Sequence, residues 1–518
     1  MRRSVLILSL LLTALLPLAP ALPAAAGTAR DPAPAGGRPI AWTPCPEDPA
    51  VECGTLTVPV DWDRPRGPSF ELAVARRKAA GARIGSLVIN PGGPGGSGVD
   101  AVIQEFGFTP ELTSRFDVVG FDPRGVKRSH PVLCSRELAQ RAPGPLEIGG
   151  QADFAALLAH NERYRQDCRA RTGPLFDHVD TGSVVRDLDA LREALGDRQL
   201  TFFGKSYGTL IGQLYAERFP GRVRALALDS TMDHSLGTRD FLDTESRAAQ
   251  DSFDEFAAWC GRTRACALHG RDVRAVWAGL LERAGRGELT LPGGPGEPGV
   301  PIGVFDLVWQ AFTSFYGPRF ADLAGLLAAL ESGEPATRLP AGAGPLEETF
   351  ADPSRIFCLD YLLPVRDHRE YAAHLRRSAR IAPDMLFSPL AFGMLLTCAG
   401  TPAPIPNPQH RLRVDGTPPL LLANALHDPA TAYAWATAAA RQIGPEARLL
   451  TYEGWGHGVY GRGECPTAAF DRYLIELEAP ARGARCPAVL PDATTLRTGP
   501  PTTPIPGTPG YVLARMPA

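Results

Sequence analysis

Several patterns that would indicate particular functions are missing from this sequence of 518 residues. No C-x-x-C pair occurs, which argues against a zinc ribbon, and neither a cluster of metal ligands nor a phosphate-binding loop is present. We therefore expect no metal ion and no organic cofactor. The 53 basic residues form no cluster and are nearly balanced by 56 acidic ones, so we expect no nucleic-acid partner. Beyond the N-terminal segment no apolar run is long enough to span a bilayer, and we expect no stable membrane anchor.

The N-terminal segment has the order of a secretory signal peptide. A basic start, Met-Arg-Arg, precedes an apolar run that Pro17 and Pro20 interrupt, and three alanines end the segment before Gly27. The prolines and the small residues at the end argue against the alternative, which is a membrane anchor. We therefore expect residues 1–26 to be a signal peptide and the mature protein to be secreted into the extracellular medium.

Ten cysteines are present, and an even number in an exported chain favours disulfide bonds. The simplest connectivity pairs them in sequence order, although a sequence alone leaves other connectivities open. That scheme joins Cys45 to Cys53, Cys134 to Cys168, Cys260 to Cys266, Cys358 to Cys398 and Cys465 to Cys486.

Short apolar, β-branched segments alternate along the chain with longer segments of helical periodicity, which predicts an α/β fold. Eight strands are predicted, and the third to eighth are nearly continuous apolar runs, as in parallel strands that are buried on both faces. The predicted strands cover residues 55–62, 70–77, 86–90, 116–122, 200–204, 223–229, 419–425 and 447–453. We therefore expect an α/β fold with a mostly parallel eight-stranded sheet flanked by helices.

The alternation stops between the sixth and seventh predicted strands, where helical patterns and Pro/Gly loops dominate. We predict that residues 236–415 form a largely helical cap, inserted into a core that consists of 27–235 and 416–491. The last segment, 492–518, is rich in Pro, Thr and Gly and is predicted to be a loose or extended tail.

One G-x-S-x-G match, Gly204-Lys205-Ser206-Tyr207-Gly208, lies between a predicted strand and a predicted helix. In that context the turn is so sharp that the serine adopts a strained conformation, and the flanking glycines relieve the crowding. The Oγ atom then stands exposed at the positive end of the helix. Ser206 is therefore the candidate nucleophile.

A serine nucleophile needs a base and an acid. Where the serine lies on such a strand-to-helix turn, the three residues follow one another along the chain in the order Ser, acid, His. His457 comes just after the last apolar run, between two glycines that suit a tight loop, and it is the candidate base. Asp428 follows the seventh predicted strand and is the preferred acid, with Asp229 at the end of the sixth strand as the alternative. His427 is a poor base candidate because neighbours on an extended strand point to opposite faces.

The oxyanion that forms during acyl transfer needs two backbone N–H donors. One should come from Tyr207, which follows the nucleophile, and the other from the loop after the third predicted strand. That loop contains a Pro-Gly-Gly-Pro-Gly sequence at 91–95, in which Gly93 is the preferred donor and Gly92 the alternative. A second copy at 292–296 lacks the flanking strand and is predicted to be a surface loop.

Six blocks of the sequence resemble one protein family in the same order, over about residues 40 to 490. They are SLVINPGGPGGSG, FDVVGFDPRGVKRS, LDALREALG with LTFFGKSYGT, LALDSTMD, ALHDPATAYAWA and GWGHG. The chain resembles the secreted tripeptidyl aminopeptidases of Streptomyces and related actinomycetes, which belong to the α/β-hydrolase superfamily and are similar to proline iminopeptidases. By position, the resemblance assigns the nucleophile to Ser206, the acid to Asp428 and the base to His457.

The resemblance implies a secreted serine exopeptidase that releases short peptides, with tripeptides the expected product, from substrates with a free N-terminus. An alternative function for the same three residues is that of a carboxylesterase or amide hydrolase acting on small molecules. An aminopeptidase needs carboxylates to hold the substrate ammonium group, because a buried ammonium without a partner is costly. The predicted cap offers six candidates, and the sequence does not select among Asp240, Asp243, Glu245, Asp251, Asp254 and Glu255. The oligomeric state is also left open.

Overall fold

A computed structural model of the chain describes residues 39–291, 300–333 and 348–491. The predicted signal peptide, the predicted tail and the second Pro-Gly-Gly-Pro-Gly copy lie outside these residues.

The centre of the fold is a ten-stranded sheet with the order β1-β2-β3-β5-β4-β7-β8-β12-β13-β14. Two further pairs, β9 with β10 and β6 with β11, lie outside it. The strands are β1 (Thr43–Pro44), β2 (Glu52–Pro59), β3 (Ser69–Arg77), β4 (Gly85–Asn90), β5 (Phe116–Phe121), β6 (Leu133–Ser135), β7 (Leu200–Lys205), β8 (Val223–Asp229), β9 (Thr290–Leu291), β10 (Val300–Pro301), β11 (Thr349–Ala351), β12 (Leu420–His427), β13 (Ala447–Trp455) and β14 (Arg485–Cys486).

The eight predicted strands correspond to β2, β3, β4, β5, β7, β8, β12 and β13. Pairing is antiparallel from β1 to β5 and parallel from β5 to β14, so the sheet is mostly parallel as predicted. The expected number of strands was too low, because β1 and β14 at the two edges are only two residues long. A strand of two residues, such as Thr43–Pro44, is too short to show the apolar periodicity by which strands are recognised in a sequence.

Helices cover both faces of the sheet, and alternate strand residues reach opposite sides. Val88 of β4 packs into one apolar cluster, while its neighbours Leu87 and Ile89 pack into another. The helices are α1 (Gly98–Ile103), α2 (Pro110–Arg115), α3 (Arg136–Gln140), α4 (Gln151–Thr172), α5 (Thr181–Ala194), α6 (Tyr207–Arg218), α7 (Thr238–Arg262), α8 (Val273–Gly285), α9 (Val304–Tyr316), α10 (Phe320–Ser332), α11 (Ser354–Asp360), α12 (His368–Ile381), α13 (Pro389–Cys398), α14 (Tyr433–Ile443) and α15 (Glu464–Glu476).

The chain between β8 and β12, which includes the segment predicted to be a cap, is mainly helical and contains α7 to α13. Helix α7 is 25 residues long and has one apolar face. Phe253 and Phe256 on that face pack with Trp277 of α8 and Phe312 of α9 in a cluster separate from those on the sheet. This segment therefore has a hydrophobic core of its own, and we refer to it below as the helical insertion.

All ten cysteines are paired in sequence order, which confirms the predicted connectivity. Cys358–Cys398 joins α11 to α13 inside the helical insertion, and Cys465–Cys486 ties α15 to the edge strand β14. Among the described residues, none of the helices has the length and apolar character that crossing a bilayer requires.

Candidate active site

Ser206 occupies the turn between β7 and α6, with a φ of 57° and a ψ of −124°. Such a backbone conformation is strained for a residue with a Cβ. A Cβ on Gly204 would lie 2.4 Å from the Gly208 carbonyl oxygen, and one on Gly208 would lie 2.6 Å from the Asn90 carbonyl oxygen. Only glycine therefore fits at the two flanking positions, and the sequence pattern is explained by the close approach of the strand, the turn and the helix.

His457 and Asp428 are in direct contact. The His457 Nδ1 atom lies 3.0 and 3.1 Å from the two carboxylate oxygens of Asp428. Burial by itself would raise the pKa of Asp428, but the charge and hydrogen bond of His457 and the N–H groups of Ala430 and Thr431 hold that pKa below its usual value. The carboxylate is thus kept ionised beside the imidazole, which is the arrangement that orients and stabilises a catalytic histidine.

The loop that carries His457 is held from several sides. Arg462, which is partly buried, donates to the carbonyl oxygens of His457, Gly458 and Tyr316. The His457 N–H donates to the Tyr316 carbonyl at 2.9 Å, and the Tyr316 ring lies edge-on to the imidazole with centroids 5.1 Å apart. Tyr316 ends α9, so the helical insertion helps to fix the histidine. A Cβ on Gly458 would lie 2.5 Å from Cε of Lys205, which places this loop against the residue before Ser206.

Asp229, the alternative acid, has a different position in the site. Its carboxylate accepts from the N–H groups of Val459 at 2.7 Å and Tyr460 at 3.0 Å, and its carbonyl accepts from the Ser206 N–H at 2.8 Å. Burial raises the pKa of Asp229, which the charge of Lys205 partly offsets. Asp229 therefore connects the serine turn to the histidine loop, but its hydrogen bonds go to the loop backbone and not to the imidazole.

His427 pairs with Asp251 of α7 at 2.8 Å, whereas the next residue, Asp428, contacts His457. The imidazole also stacks on Trp455, with ring centroids 6.0 Å apart. His427 thus connects the sheet to the helical insertion.

The loop after β4 lies against the serine turn. A Cβ on Gly92 would lie 2.8 Å from Cβ of Ser206 and 3.0 Å from the Tyr207 nitrogen. The Gly92 N–H is already used, since it donates to Asn90 Oδ1 at 2.9 Å. Within the described chain, the N–H groups of Gly93 and Tyr207 donate to no other residue. Two backbone N–H groups are therefore without a partner among the described residues, that of Tyr207 directly after Ser206 and that of Gly93 directly after Gly92.

Two residues of the site were missed by sequence reasoning. Ser230 donates to Asp428 at 2.8 Å and accepts from the Gly458 N–H at 2.7 Å, so it bridges the acid and the histidine loop. Thr431 donates to Asp428 at 2.9 Å and lies 3.4 Å from His457 Nδ1. The one signal for Ser230 is its place directly after β8, because side chains at the carboxyl ends of parallel strands converge on the same edge.

The six carboxylates considered for ammonium binding have distinct environments. Asp243 is paired with Arg377, Asp251 with His427, and Asp254 with Arg274, while Glu255 accepts from Trp455. Asp240 is exposed at the start of α7. Glu245 is fully buried, and its one hydrogen bond within the described chain comes from Ser388 Oγ at 3.0 Å. Its other carboxyl oxygen, Oε1, is buried without a partner.

Comparisons with known proteins match the chain to one family and to several named relatives. Residues 85–463 match the family described as alpha/beta hydrolase fold. Serine protease Hip1 of Mycobacterium tuberculosis is 35% identical, with 89% of this chain and 93% of that protein aligned. The tripeptidyl aminopeptidase of Streptomyces lividans is 29% identical, with 86% of each chain aligned, which confirms the resemblance found in the sequence. Carboxylesterase B of M. tuberculosis is 32% identical, with 84% of this chain and 86% of that protein aligned. The chain belongs to the α/β-hydrolase family and is a serine hydrolase of that family.

Proposed function

We propose that the protein is a secreted serine exopeptidase that releases short peptides, with tripeptides the expected product, from substrates with a free N-terminus. Two relatives that align over most of the chain are named as a serine protease and a tripeptidyl aminopeptidase. Five disulfide bonds support export, because such bonds persist in oxidising compartments. The observation that carries the proposed peptidase function is the buried carboxyl oxygen Oε1 of Glu245, which has no hydrogen-bond partner among the described residues.

In the proposed mechanism, Ser206 Oγ attacks the scissile carbonyl carbon while His457 Nε2 accepts the hydroxyl proton. Asp428 stabilises the imidazolium, and the N–H groups of Gly93 and Tyr207 donate to the negatively charged oxygen of the tetrahedral intermediate. The C–N bond then breaks as His457 returns the proton to the departing amine. Water then attacks the acyl-enzyme carbonyl with His457 as the base. This step releases the short peptide and restores Ser206.

Glu245 is the carboxylate that we propose for the substrate ammonium. Burial raises its pKa well above the usual value, and the charge of Asp428 adds to that effect, so Glu245 lies within electrostatic reach of the triad acid. Burial raises the pKa of Tyr316, which packs on His457, and the charges of Glu245 and Asp428 raise that pKa further. No cation pairs with Glu245 among the described residues, and a substrate ammonium would supply the missing charge and a donor for Oε1.

A substrate comparison tests this function. We expect the enzyme to cleave a tripeptide anilide with a free N-terminus much faster than the same anilide with an acetylated N-terminus, and much faster than a proline anilide. Ser206→Ala should abolish the activity and leave the thermal unfolding temperature nearly unchanged. Equal turnover of the free and acetylated peptides would contradict the aminopeptidase function.

Glu245→Gln tests the ammonium site separately. This change keeps the acceptor for Ser388 but removes the charge, and a charge-assisted hydrogen bond contributes about 1.5–3 kcal/mol. We therefore expect kcat/KM for the free tripeptide anilide to fall by about 10-fold to 100-fold, with no such loss for the acetylated one. Asp254→Asn, on the same helix and paired with Arg274, is the matched control and should change neither value.

The second candidate function is ester hydrolysis, which is favoured by the similarity to a protein named carboxylesterase B. The same three residues would attack an ester carbonyl, and no ammonium site would be needed. Turnover of a short-chain nitrophenyl ester, without turnover of any of the peptide anilides, would select this function over the peptidase.

A further inference from the structure

The carboxylate of Asp360, the last residue of α11, is a point where the helical insertion meets the nucleophile helix. This side chain is fully buried. It accepts four hydrogen bonds, from the backbone N–H of Thr181 at 2.9 Å, Thr181 Oγ1 at 2.5 Å, Tyr207 Oη at 2.5 Å and Asn407 Nδ2 at 2.7 Å. Thr181 begins α5 and Tyr207 begins α6, so one carboxylate joins the N-termini of two core helices to the insertion.

Tyr207 has two separate functions at this point. Its backbone N–H lies next to Ser206 and donates to no described residue, as an oxyanion donor must. Its side chain is buried and fixed by the hydrogen bond to Asp360, and its ring packs on Phe357 of α11 with centroids 6.2 Å apart. The position of the backbone donor is therefore tied to α11 through the tyrosine side chain.

We propose that Asp360 is a positioning residue for catalysis: by holding the Tyr207 hydroxyl it keeps the Tyr207 N–H directed at the developing oxyanion, and so couples the packing of the helical insertion to the rate of the chemical step. This inference rests on the proposed role of the Tyr207 N–H. It concerns a residue that touches neither the substrate nor the reacting atoms.

The electrostatics of the site support a role other than stability. Within the described chain no Lys or Arg pairs with Asp360, and the charge that acts on its pKa is that of another carboxylate, Asp180. Burial, followed by the charge of Asp180, raises the pKa of Asp360 to about 7, against the hydrogen bonds from Thr181, Tyr207 and Asn407. The adjacent His234 offers no compensating charge, since burial lowers its pKa to about 4. A buried carboxylate without a cation is costly, and an amide or apolar group would suit a purely structural contact better.

Tyr207→Phe and Asp360→Asn test the proposal. The first removes one hydroxyl and keeps the ring, so it remains informative if the second variant fails to fold. The matched control is Tyr215→Phe, because the Tyr215 hydroxyl donates to the buried Asp189 at 2.9 Å in the same way but about two turns further along α6. All variants are compared with the wild type and with Ser206→Ala on whichever anilide or ester the wild type hydrolyses.

The readouts are kcat, KM and the inhibition constant of a peptide boronate, whose tetrahedral adduct carries an oxygen at the oxyanion position. We expect kcat to fall by about 10-fold to 100-fold in Tyr207→Phe and Asp360→Asn, with KM within about 2-fold, because a small displacement of a catalytic donor has effects of this order. The boronate should bind more weakly by a similar factor. Tyr215→Phe should lower the unfolding temperature but leave kcat and boronate affinity unchanged.

The possible failures are distinguishable. If Ser206→Ala is inactive but Tyr207→Phe keeps its kcat and its boronate affinity, the inference about Asp360 is wrong and the serine mechanism stands. An equal loss of kcat in Tyr215→Phe would also overturn it, because the effect would then be one of general stability. If Ser206→Ala keeps its activity, the proposed mechanism fails, and the inference fails with it.

Discussion

At the residue scale, two buried aspartates near His457 have different partners. Asp428 contacts the imidazole, whereas Asp229 accepts from the backbone N–H groups of Val459 and Tyr460. We expect Asp428→Asn to lower kcat by about 10³-fold to 10⁴-fold, because the amide no longer stabilises the imidazolium or selects its tautomer. Asp229→Asn keeps one oxygen acceptor for the loop, and we expect less than about 10-fold loss of kcat with about 1–3 kcal/mol loss of unfolding free energy.

Steady-state kinetics and urea unfolding on both variants check this prediction. Ser114→Ala, a change at a serine whose hydroxyl donates only to the Glu111 carbonyl, is the control for handling and should match the wild type. A large loss of kcat in Asp229→Asn together with normal kcat in Asp428→Asn would exchange the roles of the two residues.

At the element scale, α7 is attached to the ends of two core strands through polar contacts. Asp251 pairs with His427 at the end of β12, and Glu255 accepts from Trp455 at the end of β13. Burial tends to lower the pKa of His427, but the hydrogen bond and charge of Asp251, with Glu255, raise it above its ordinary value of 6.5. A histidine whose pKa is raised in the folded state contributes its full stabilisation of that state below about pH 6.5. This contribution is lost as the pH rises through the folded pKa.

We therefore expect the difference in unfolding free energy between wild type and His427→Gln to be largest in mildly acidic solution. The pH-dependent part of this difference should be at most about 1 kcal/mol, since Asp251 is partly exposed, and should be lost as the pH rises through the folded pKa of His427. Urea unfolding of both chains over a series of pH values measures it. The pKa of His410 is also raised, by its hydrogen bond with Glu217. Because His410 is present in both the wild type and the variant, its contribution cancels in the comparison. A difference that grows with pH would contradict the ion pair.

At the scale of the whole molecule, the five disulfides close loops of very different lengths. Cys358 and Cys398 are 40 residues apart, and Cys260 and Cys266 only 6. From loop entropy we expect replacement of the first pair by alanine to cost about 4 kcal/mol of unfolding free energy, and replacement of the second about 2 kcal/mol. Denaturant unfolding of the two double variants checks the ranking, and the reverse order would show that loop entropy does not govern these bridges.

Much of the core could be predicted because its signals are local. The eight main strands are continuous apolar or alternating runs, and Ser206 lies in a five-residue pattern that glycine sterics enforce. The order and spacing of Asp428 and His457 follow from strands that end at the same edge of the sheet. The edge strands β1 and β14 could not be found, since two residues held by pairing alone leave no pattern.

The helical insertion shows the limit of sequence reasoning. Six carboxylates in one stretch of α7 are equivalent as letters, but in the structure Glu245 alone among them is buried with an unpaired oxygen. Asp360 gave no signal at all, because Thr181 lies 179 residues and Tyr207 lies 153 residues away in the chain. Contacts between such distant segments depend on how the insertion packs on the core.

The sequence by itself determined the strand pattern of the core, the strained serine turn and the candidates for base and acid, because hydrophobic periodicity and glycine sterics act over a few residues. The tertiary structure decided which of two aspartates meets His457, which carboxylate of the helical insertion is left without a partner, and that Asp360 holds Tyr207. These outcomes depend on burial and on distances between segments that are far apart in the chain. The free energy of a buried charge is set by the groups that surround it in the folded protein.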